Sequence, residues 1–466
     1  MIQATAENPF HPKRKKPNRA LICALTAALA AALYVALPPQ LGELPRRTLA
    51  IFLVAAVLWA TEALPLFATS LCILGLEILL LAKRGGLAGV GELRYEQFFQ
   101  PFSSSIIILF MGAFLLSHAL TKHGIDRAIA SRLLRPFSRS PLLMLYGVLG
   151  ITALFSMWMS NTAAAVMMIA VVSPVIASLG DGNRFATALI LAVPFGSAVG
   201  GISTPIGTPP NAVALAALRQ ARYDVSFLDW MLLAVPLMVL LLVLTGLLLF
   251  YFFLPERGMM LAKLDPPAEI SAQGKLTLLI LAVTVALWLT GDWHGISTAV
   301  VALLAAASLA ALGVLDRHDV NSIDWDILIL MWSGLSLGQA MQLSGLLDWV
   351  VRLPLAQMSG LALSASVAFL ALGLSTFMSN TATANLIIPT AMALSSAQQG
   401  QLAILTALAC SFAMAMPVST PPNAIAFATG KVPVGDMIRA GGLISIVSVI
   451  VMLLGYQAIL PWVLGF

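Results

Sequence analysis

Long apolar stretches separated by short polar ones recur along almost the whole chain. An α-helix needs about 20 predominantly apolar residues to cross the hydrocarbon core of a bilayer. The short alternating segments of a transmembrane β-barrel are absent from the sequence. The pattern therefore predicts an all-α polytopic membrane protein with about 11 transmembrane helices. The predicted spans are 20–37, 48–62, 64–82, 104–121, 185–216, 229–254, 275–291, 296–314, 325–351, 401–428 and 437–464.

Two further apolar regions, 141–179 and 360–396, are interrupted by the same uncharged tripeptide, Ser-Asn-Thr (SNT). Each SNT is followed later in the chain by the tetrapeptide TPPN. Three matching segments begin at Leu109 and Leu330, at Ser160 and Ser379, and at Thr208 and Thr420, so their offsets are 221, 219 and 212 residues. Matches that keep the same order at similar offsets indicate an internal duplication.

Composition and charge agree with a membrane protein. Of the 466 residues 60% are hydrophobic and 10% are charged, whereas a soluble domain carries about 25% charged residues. The net charge of +5 comes from Lys and Arg in loops, as the positive-inside rule requires, so we expect a lipid bilayer and no nucleic acid as partner. The basic cluster 13–16 precedes the first span and predicts a cytoplasmic N-terminus in the inner (plasma) membrane. The cysteines, Cys23, Cys72 and Cys410, show no disulfide or metal-site spacing.

The SNT regions are best interpreted as re-entrant helical hairpins that enter and leave the membrane on one side. With that assignment most Lys and Arg residues lie on the cytoplasmic side, and counting the regions as full crossings removes the bias. The two halves are then separated by an odd number of crossings, which makes the repeat inverted, a mark of secondary transporters. The predicted units are a tail at 1–19, scaffold helices at 20–135, the first hairpin and transport helices at 136–254, a cytoplasmic linker at 255–274, scaffold helices at 275–355, and the second hairpin and transport helices at 356–466.

The polar breaks predict ion binding within the membrane. Non-helical backbone at this depth survives only where it is buried in protein or lines a cavity. Pro-Pro pairs remove amide donors and end the preceding helix, which leaves carbonyl oxygens free for a small cation. Helix N-termini at the same breaks favour an anion. Neither SNT nor TPPN contains Lys, Arg or His, so a dianion would depend on a bound cation to offset its desolvation, and we expect the two to be coupled.

Other interpretations remain open at this point. Ser and Thr within spans often only bond back to their own helix. Glu62 and Glu77 lie at or within spans, where ionisable residues are functional candidates, although Glu62 is equally compatible with an interfacial role. His118 and His123 fit an interfacial position better than a proton relay. An intramembrane enzyme is disfavoured because the repeated motifs hold no histidine and no HExxH sequence exists; a channel remains an alternative.

At these motifs the chain resembles the divalent anion:sodium symporter family, the dicarboxylate, citrate and sulfate carriers of the INDY type. The paired SNT and TPPN motifs carry the resemblance, which extends from about residue 20 to the end. It implies a homodimer with a scaffold domain and a mobile transport domain that moves as an elevator. It further implies Na⁺ as the coupling ion, with no organic cofactor and no catalytic residue.

The resemblance also implies specific ligands. The first sodium site would use Ser156, Ser160, Asn161 and Gly207, and the second Ser375, Ser379, Asn380 and Ser419. In the first loop Ser203 or Thr204 is an alternative to Gly207. The substrate carboxylates would meet Ser160, Asn161, Thr162, Thr208, Pro209, Ser379, Asn380, Thr381, Thr420 and Pro421. We expect sodium-coupled symport of a divalent anion, foremost a C4-dicarboxylate such as succinate, malate or fumarate. Sodium-independent exchange of a dicarboxylate, citrate or tartrate, and sulfate transport, are the alternatives.

Overall fold

The computed structural model describes residues 41–84, 93–180, 182–256, 268–352 and 354–464, with isolated positions between 24 and 35 and between 258 and 264. Side chains are described as far as Tyr456. The predicted tail at 1–19 and most of the first predicted span, 20–37, lie outside the described residues. Among the described residues, the regular elements are helices apart from one pair of very short strands.

Ten helices are described completely in the first half. They are α1 (Glu43–Thr61), α2 (Leu66–Leu81), α3 (Glu96–Phe99), α4 (Ser105–Lys122), α5 (Ile125–Leu134), α6 (Pro141–Ser156), α7 (Asn161–Ser178), α8 (Arg184–Gly201), α9 (Pro209–Gln220) and α10 (Phe227–Phe252). Two 3₁₀ turns, Gln100–Ser103 and Arg135–Arg139, connect them, and the strands β1 (Ala82–Arg84) and β2 (Leu93–Arg94) pair in parallel.

The second half repeats this order. Its helices are α11 (Ala272–Leu289), α12 (Gly291–His294), α13 (Thr298–Ala311), α14 (Arg317–Asn321), α15 (Trp325–Leu343), α16 (Leu346–Val350), α17 (Gly360–Phe377), α18 (Asn380–Leu394), α19 (Gln399–Ser411), α20 (Pro421–Ala428) and α21 (Val434–Leu464). The 3₁₀ turns are Pro354–Gln357 and Ser396–Gln398.

Eight described helices are long and apolar enough to cross a membrane, and the shorter apolar helices Leu66–Leu81, Pro141–Ser156 and Thr298–Ala311 accompany them. The eight include two hairpin arms, α7 and α17. The predicted all-α polytopic fold is therefore confirmed. The total of about 11 spans stays a prediction, because the first of them falls mostly outside the described residues.

Capping residues explain where many helices begin. A side-chain oxygen of the residue before the helix accepts a hydrogen bond from a backbone amide of the first turn, which satisfies one of the free donors there. The residues that do so in the first half are Ser104, Ser140, Ser160, Asn183 and Ser226. Polar residues that look out of place in an apolar sequence thus fix the positions at which the membrane helices start.

Helix packing confirms the internal duplication. Helix α2 packs against α15 as α13 packs against α4, and α6 packs against α8 as α17 packs against α19. The last helices of the halves, α10 and α21, pack against each other. Breaks also recur at equivalent places: Gly124, between α4 and α5, and Gly345, between α15 and α16, both have positive φ (62° and 76°).

Two details differ from the sequence-based prediction. The span predicted as continuous at 325–351 is divided at Ser344 and Gly345, because glycine readily adopts the left-handed conformation that ends a helix. The parallel strands β1 and β2 were not predicted, since strands of two or three residues leave no hydrophobic period in a sequence.

Two glycines of α8 determine how closely it approaches the first hairpin. A Cβ atom on Gly196 would lie 2.8 Å from Leu149 O, and one on Gly200 would lie 2.4 Å from Ala153 O. Small residues four apart allow membrane helices to approach backbone to backbone. The close contact between α8 and α6 brings the end of α8 next to the first SNT motif.

Candidate ion and substrate site

The first SNT motif lies at the tip of a helical hairpin inside the protein. Helix α6 ends at Ser156 and α7 begins at Asn161, so the tip is Met157–Ser160. Ser156, Met157 and Met159 are buried. Ser160 is the N-cap of α7, and its side chain accepts a hydrogen bond from the amide of Ala163 at 3.3 Å. The tip is thus a helix break surrounded by protein, as a re-entrant hairpin requires.

Oxygen atoms surround the Asn161 side chain. One terminal atom of its amide lies 2.6 Å from Ser156 Oγ and 3.2 Å from the carbonyl oxygens of both Ser197 and Gly207. Ser156 Oγ also donates to Ser197 O at 2.9 Å. Such a group of neutral oxygens is satisfied either by the amide nitrogen of Asn161 or, with the amide oxygen turned inward, by a small cation. Three of the four residues predicted for the first sodium site are therefore in contact.

The loop between α8 and α9 is held in place by its own asparagine. Asn211 Nδ2 lies within hydrogen-bonding distance of the carbonyl oxygens of Gly201 (3.0 Å), Ile202 (3.3 Å) and Thr204 (2.8 Å). Trp230 Nε1 also donates to Ile202 O, at 2.9 Å. Asn211, the last residue of the TPPN motif, therefore satisfies carbonyl oxygens at the end of α8 and in the loop that follows. The carbonyl oxygen of Gly207 is not one of these acceptors, and it faces Asn161.

The second SNT motif reproduces this arrangement. Helix α17 ends at Phe377 and α18 begins at Asn380, with Ser379 as its N-cap. Ser375 Oγ lies 2.7 Å from Asn380 Oδ1 and donates to Cys410 O at 2.8 Å. Cys410 thus occupies the place that Ser197 has in the first half.

Each tip is also tied to its own loop through the same backbone carbonyl. In the first half Thr204 Oγ1 donates to Met157 O at 2.6 Å, and in the second Ser419 Oγ donates to Thr376 O at 2.7 Å. Met157 and Thr376 are equivalent in the repeat, being separated by the same 219 residues as the two SNT motifs. Ser203 and Thr204 were the predicted alternatives to Gly207. Thr204 makes the hydrogen bond to the hairpin tip, whereas Ser203 Oγ donates to Gly200 O in the last turn of α8.

The two halves interlock at the helices that follow the loops. Helix α9, which begins at the first TPPN motif, packs against α18 and α19 of the second half. Helix α20, which begins at the second TPPN motif, packs against α7 and α8 of the first half. Each TPPN helix therefore contacts the SNT helix of the opposite repeat.

The predicted substrate ligands differ in exposure. Thr208 and Thr381 are buried and Pro421 is exposed. The others are half-buried, as the lining of an accessible cleft would be: Ser160, Asn161, Thr162, Pro209, Ser379, Asn380 and Thr420. All ten lie at the start of α7, α9, α18 or α20. The N-terminus of a helix carries about half a positive charge, so these positions favour an anion without a basic side chain.

Several contributors were not identified from the sequence. The carbonyls of Ser197 and Cys410 belong to uninterrupted stretches of α8 and α19, and any residue type provides a carbonyl, so no sequence signal marks them. The Asn residues of the TPPN motifs belong to a motif that the sequence shows. The hydrogen bonds that they donate to the carbonyls of Thr204 and Met416, seven residues earlier, are visible only in the structure.

The ionisable candidates lie elsewhere. Glu77 is fully buried on α2 and accepts a hydrogen bond from Ser336 Oγ on α15, and its other carboxyl oxygen has no partner among the described residues. Glu62 is exposed at the end of α1. His118 Nε2 lies 3.1 Å from Asp319 Oδ1 at the end of α4, consistent with an interfacial position.

Asp319 belongs to an ionic cluster at the end of α4. Lys122 Nζ lies 2.5 Å from Asp319 Oδ2 and 3.2 Å from Asp316 Oδ2. Burial of Asp319 opposes its ionisation, but hydrogen bonds from Lys122, the amide of Asp316 and His118 outweigh that effect and lower its pKa to about 2. The cluster connects α4 to α14 and does not contact the SNT or TPPN motifs.

The chain is similar over most of its length to known membrane transporters. A family model described as the sodium:sulfate symporter transmembrane region matches residues 18–464. A sodium-dependent dicarboxylate transporter, SdcS, of Staphylococcus saprophyticus is 29% identical over 470 residues, which cover 92% of this chain and 88% of the relative. SdcS of Staphylococcus aureus strain USA300 is 30% identical, with 90% and 86% covered. An uncharacterised transporter of Haemophilus influenzae is 31% identical, with 88% and 91% covered.

Two solved structures share the overall fold. The YdaH transporter of Alcanivorax borkumensis superposes with a TM-score of 0.55 at 15% identity, covering 96% of this chain and 98% of that one. MtrF of Neisseria gonorrhoeae superposes with a TM-score of 0.55 at 12% identity, covering 94% and 97%. At these identities the likeness concerns the fold alone.

Proposed function

Because the chain belongs to the family of the sodium:sulfate symporter transmembrane region, we propose that it is a secondary transporter in which sodium drives the uptake of a C4-dicarboxylate such as succinate, malate or fumarate. The names of the two SdcS relatives support sodium and a dicarboxylate as the transported pair. The observation that carries the proposal is a duplicated pair of contacts: Ser156 and Ser375 each contact the side-chain oxygen of an SNT asparagine and also donate to a carbonyl oxygen of a neighbouring helix.

In this proposal a sodium ion binds at each asparagine. The first ion is held by Ser156, Ser160, Asn161 and the carbonyl of Gly207, with Ser197 O as an additional ligand. The second is held by Ser375, Ser379, Asn380 and Ser419, with Cys410 O in the place of Ser197 O. Neutral oxygen ligands suit an alkali-metal ion, because they replace its water without adding charge.

The dicarboxylate binds between the two sodium ions. Its carboxylates lie at the N-termini of α7, α9, α18 and α20, where hydroxyls, amides and helix dipoles are the available donors. Desolvating a dianion at these termini is costly when it is alone and much less costly beside two cations. Sodium binding is therefore a condition for tight substrate binding, and that condition is the basis of the coupling.

Movement follows from the unequal packing of the two hairpins. Helix α18 packs against α15, with Asn385 close to Gly334. The equivalent position on α7, Val166, is 47% exposed. We propose that the hairpins exchange these environments as the transport helices move, elevator-like, relative to α4 and α15, in a homodimer within the plasma membrane.

Uptake of labelled succinate into proteoliposomes tests this function. Purified protein should accumulate succinate above the equilibrium level under an inward sodium gradient, and a potassium gradient of the same size is the matched control. Uptake that is equal in sodium and potassium would refute the coupling. Rapid succinate counterflow in the absence of any alkali cation would instead establish an exchanger. If the protein accumulated labelled sulfate but not labelled succinate, it would be a sulfate carrier.

A further inference from the structure

A cavity with one basic side chain lies outside the candidate ion and substrate site. Its volume is about 320 Å³, and it is an open cleft lined by the start of α4, the end of α9 and the middle of α15. Its polar lining is Arg219, Gln220, Ser104 and Ser105, and Ile106 and Leu335 are among its apolar residues. A volume of this order is at the lower end of those that hold small-molecule ligands.

Arg219 has unused hydrogen-bonding capacity. Its Nη1 donates to Ser105 Oγ at 2.7 Å. Within the described part of the chain, no carboxylate lies within ion-pair distance of it, and Asp224 acts on its charge over a longer distance. A guanidinium group has five N–H donors arranged to match a carboxylate. The cavity therefore holds a cation whose remaining donors are available to an anion.

The position of Arg219 links the cavity to the candidate substrate site. Helix α9 begins at Pro209, next to the first TPPN motif, and Arg219 is ten residues further on. At 1.5 Å per residue the two positions are about 15 Å apart along the helix. One rigid helix thus joins the cavity to a predicted substrate ligand.

The charge distribution predicts the side to which the cavity opens. With a cytoplasmic N-terminus and re-entrant hairpins, the segments before α4 and after α9 both lie outside the cytoplasm. These are the segments that contribute Ser104, Ser105 and Arg219.

We propose that this cavity captures the dicarboxylate from the external solution before it reaches the SNT tips. One carboxylate of the substrate binds Arg219 and the serine hydroxyls, and its carbon chain lies against Ile106 and Leu335. The inference rests on the proposed function, and it adds a recognition step by a charged side chain, which the SNT and TPPN motifs do not contain. A single fixed cation on the external side raises the local concentration of the anion and the rate of its binding.

The test measures the KM for succinate separately on each side of the membrane, in right-side-out and in inside-out vesicles. We expect Arg219→Gln to raise the KM for external succinate in right-side-out vesicles about tenfold at saturating sodium, the effect of losing one charged contact. The KM measured from the cytoplasmic side in inside-out vesicles should remain within twofold of wild type, as should the maximal rate. Arg219→Lys should give a smaller increase, since it keeps the charge and loses the forked geometry. The matched control is Arg222→Gln, which removes an equal charge three residues away, outside the cavity lining.

Each other outcome has a defined meaning. An unchanged external KM, or an equal rise on both sides, would overturn the inference and leave sodium-driven uptake intact. Wild-type protein that does not accumulate succinate would refute the proposed function itself. If Arg219→Gln is not monodisperse in detergent, Ser105→Ala carries the test with an expected rise of about threefold. An effect of Arg219→Gln that appears in proteoliposomes containing phosphatidylglycerol, and disappears in phosphatidylcholine alone, would assign the cavity to a lipid headgroup and overturn the inference.

Discussion

Asn385 of α18 occupies the space next to Gly334 of α15 that any side chain larger than hydrogen would need. A Cβ atom placed on Gly334 would lie 1.9 Å from Asn385 Cγ. Asn385 is buried, and its Nδ2 donates to Leu330 O at 3.1 Å, so it cannot move without losing this bond. One turn further along, Gly338 faces Pro389 in the same way, with a hypothetical Cβ at 3.1 Å.

Substituting Gly334 should therefore destabilise the contact between the second hairpin and α15. We expect Gly334→Ala to lower the free energy of unfolding by about 1–3 kcal/mol, as overpacking does, and to reduce succinate uptake. The matched control is Gly373→Ala on α17, where a Cβ atom meets nothing within 4 Å; it should be neutral or stabilising. Thermal unfolding in detergent and uptake in liposomes measure both effects.

A double substitution tests whether Asn385 is the cause. Asn385→Ala creates space beside Gly334, so Gly334→Ala should cost less in the Asn385→Ala background than in wild type, a coupling of 0.5 kcal/mol or more. Strict additivity of the two effects would show that the contact between Gly334 and Asn385 does not limit the packing.

The hydroxyl of Ser156 should determine sodium affinity. We expect Ser156→Ala to raise the sodium concentration for half-maximal uptake about tenfold, equivalent to about 1.4 kcal/mol. At saturating sodium the maximal rate should stay within about twofold, because substrate contacts are retained. The control is Ser197→Ala. Among the described residues the Ser197 hydroxyl donates within its own helix, to Pro194 O at 2.9 Å, and the substitution keeps the Ser197 carbonyl. Equal sodium dependence in the Ser156→Ala and Ser197→Ala variants would contradict the proposed ligand set.

Asn211 and Asn423 should differ in their importance for stability, although they occupy equivalent positions. Asn211 satisfies carbonyls of Gly201, Ile202 and Thr204, whereas Asn423 Nδ2 has one acceptor among the described residues, Met416 O at 2.9 Å. A buried acceptor left without a partner costs about 1–3 kcal/mol. Thermal unfolding should therefore show a larger loss for Asn211→Ala than for Asn423→Ala. The reverse order would mean that the second loop depends more strongly on its asparagine.

The ionic cluster of Asp319 should make stability depend on pH in the acid range. Its pKa is about 2 in the folded protein and 3.8 ordinarily, so the unfolded chain binds the proton more readily. The stabilisation is fully present above about pH 4 and is lost as the pH falls through about 2.

The variant Asp319→Asn isolates this contribution. It should unfold at a lower temperature than wild type at pH 7, and the difference should shrink as the pH is lowered from 4 towards 2. Asp292→Asn, at an exposed position in α12, is the control and should follow wild type. A difference that stays constant over this range would show that packing, and not charge, accounts for the role of Asp319.

The sequence predicted the elements of this fold well because hydrophobic length and helix-breaking residues act locally. The hairpin regions predicted at 141–179 and 360–396 correspond to helices at 141–178 and 360–394. The Ser-Asn pair predicts the tip because its serine is a strong N-cap. These features depend on residues within one or two turns of each other.

Contacts between distant segments could not be predicted in the same way. The pairing of Asn161 with Ser197 O depends on the close approach of α8 to α6, which Gly196 and Gly200 permit. Glycine is common in membrane helices, so the sequence alone does not show which glycines form contacts. The crossing of α9 and α20 into the opposite halves likewise has no local signature.

The hydrogen bonds from Asn211 and Asn423 have a mechanical consequence. A bare break in a membrane helix would act as a pivot, since its free carbonyls could exchange partners while the two segments turned. In this protein the side-chain amides of Asn211 and Asn423 bond to carbonyls within the loops that precede them. We therefore expect each loop to keep a fixed angle between the helices that it connects. If the protein transports as proposed, we expect its conformational change to come from sliding between packed helices and not from bending at these two loops.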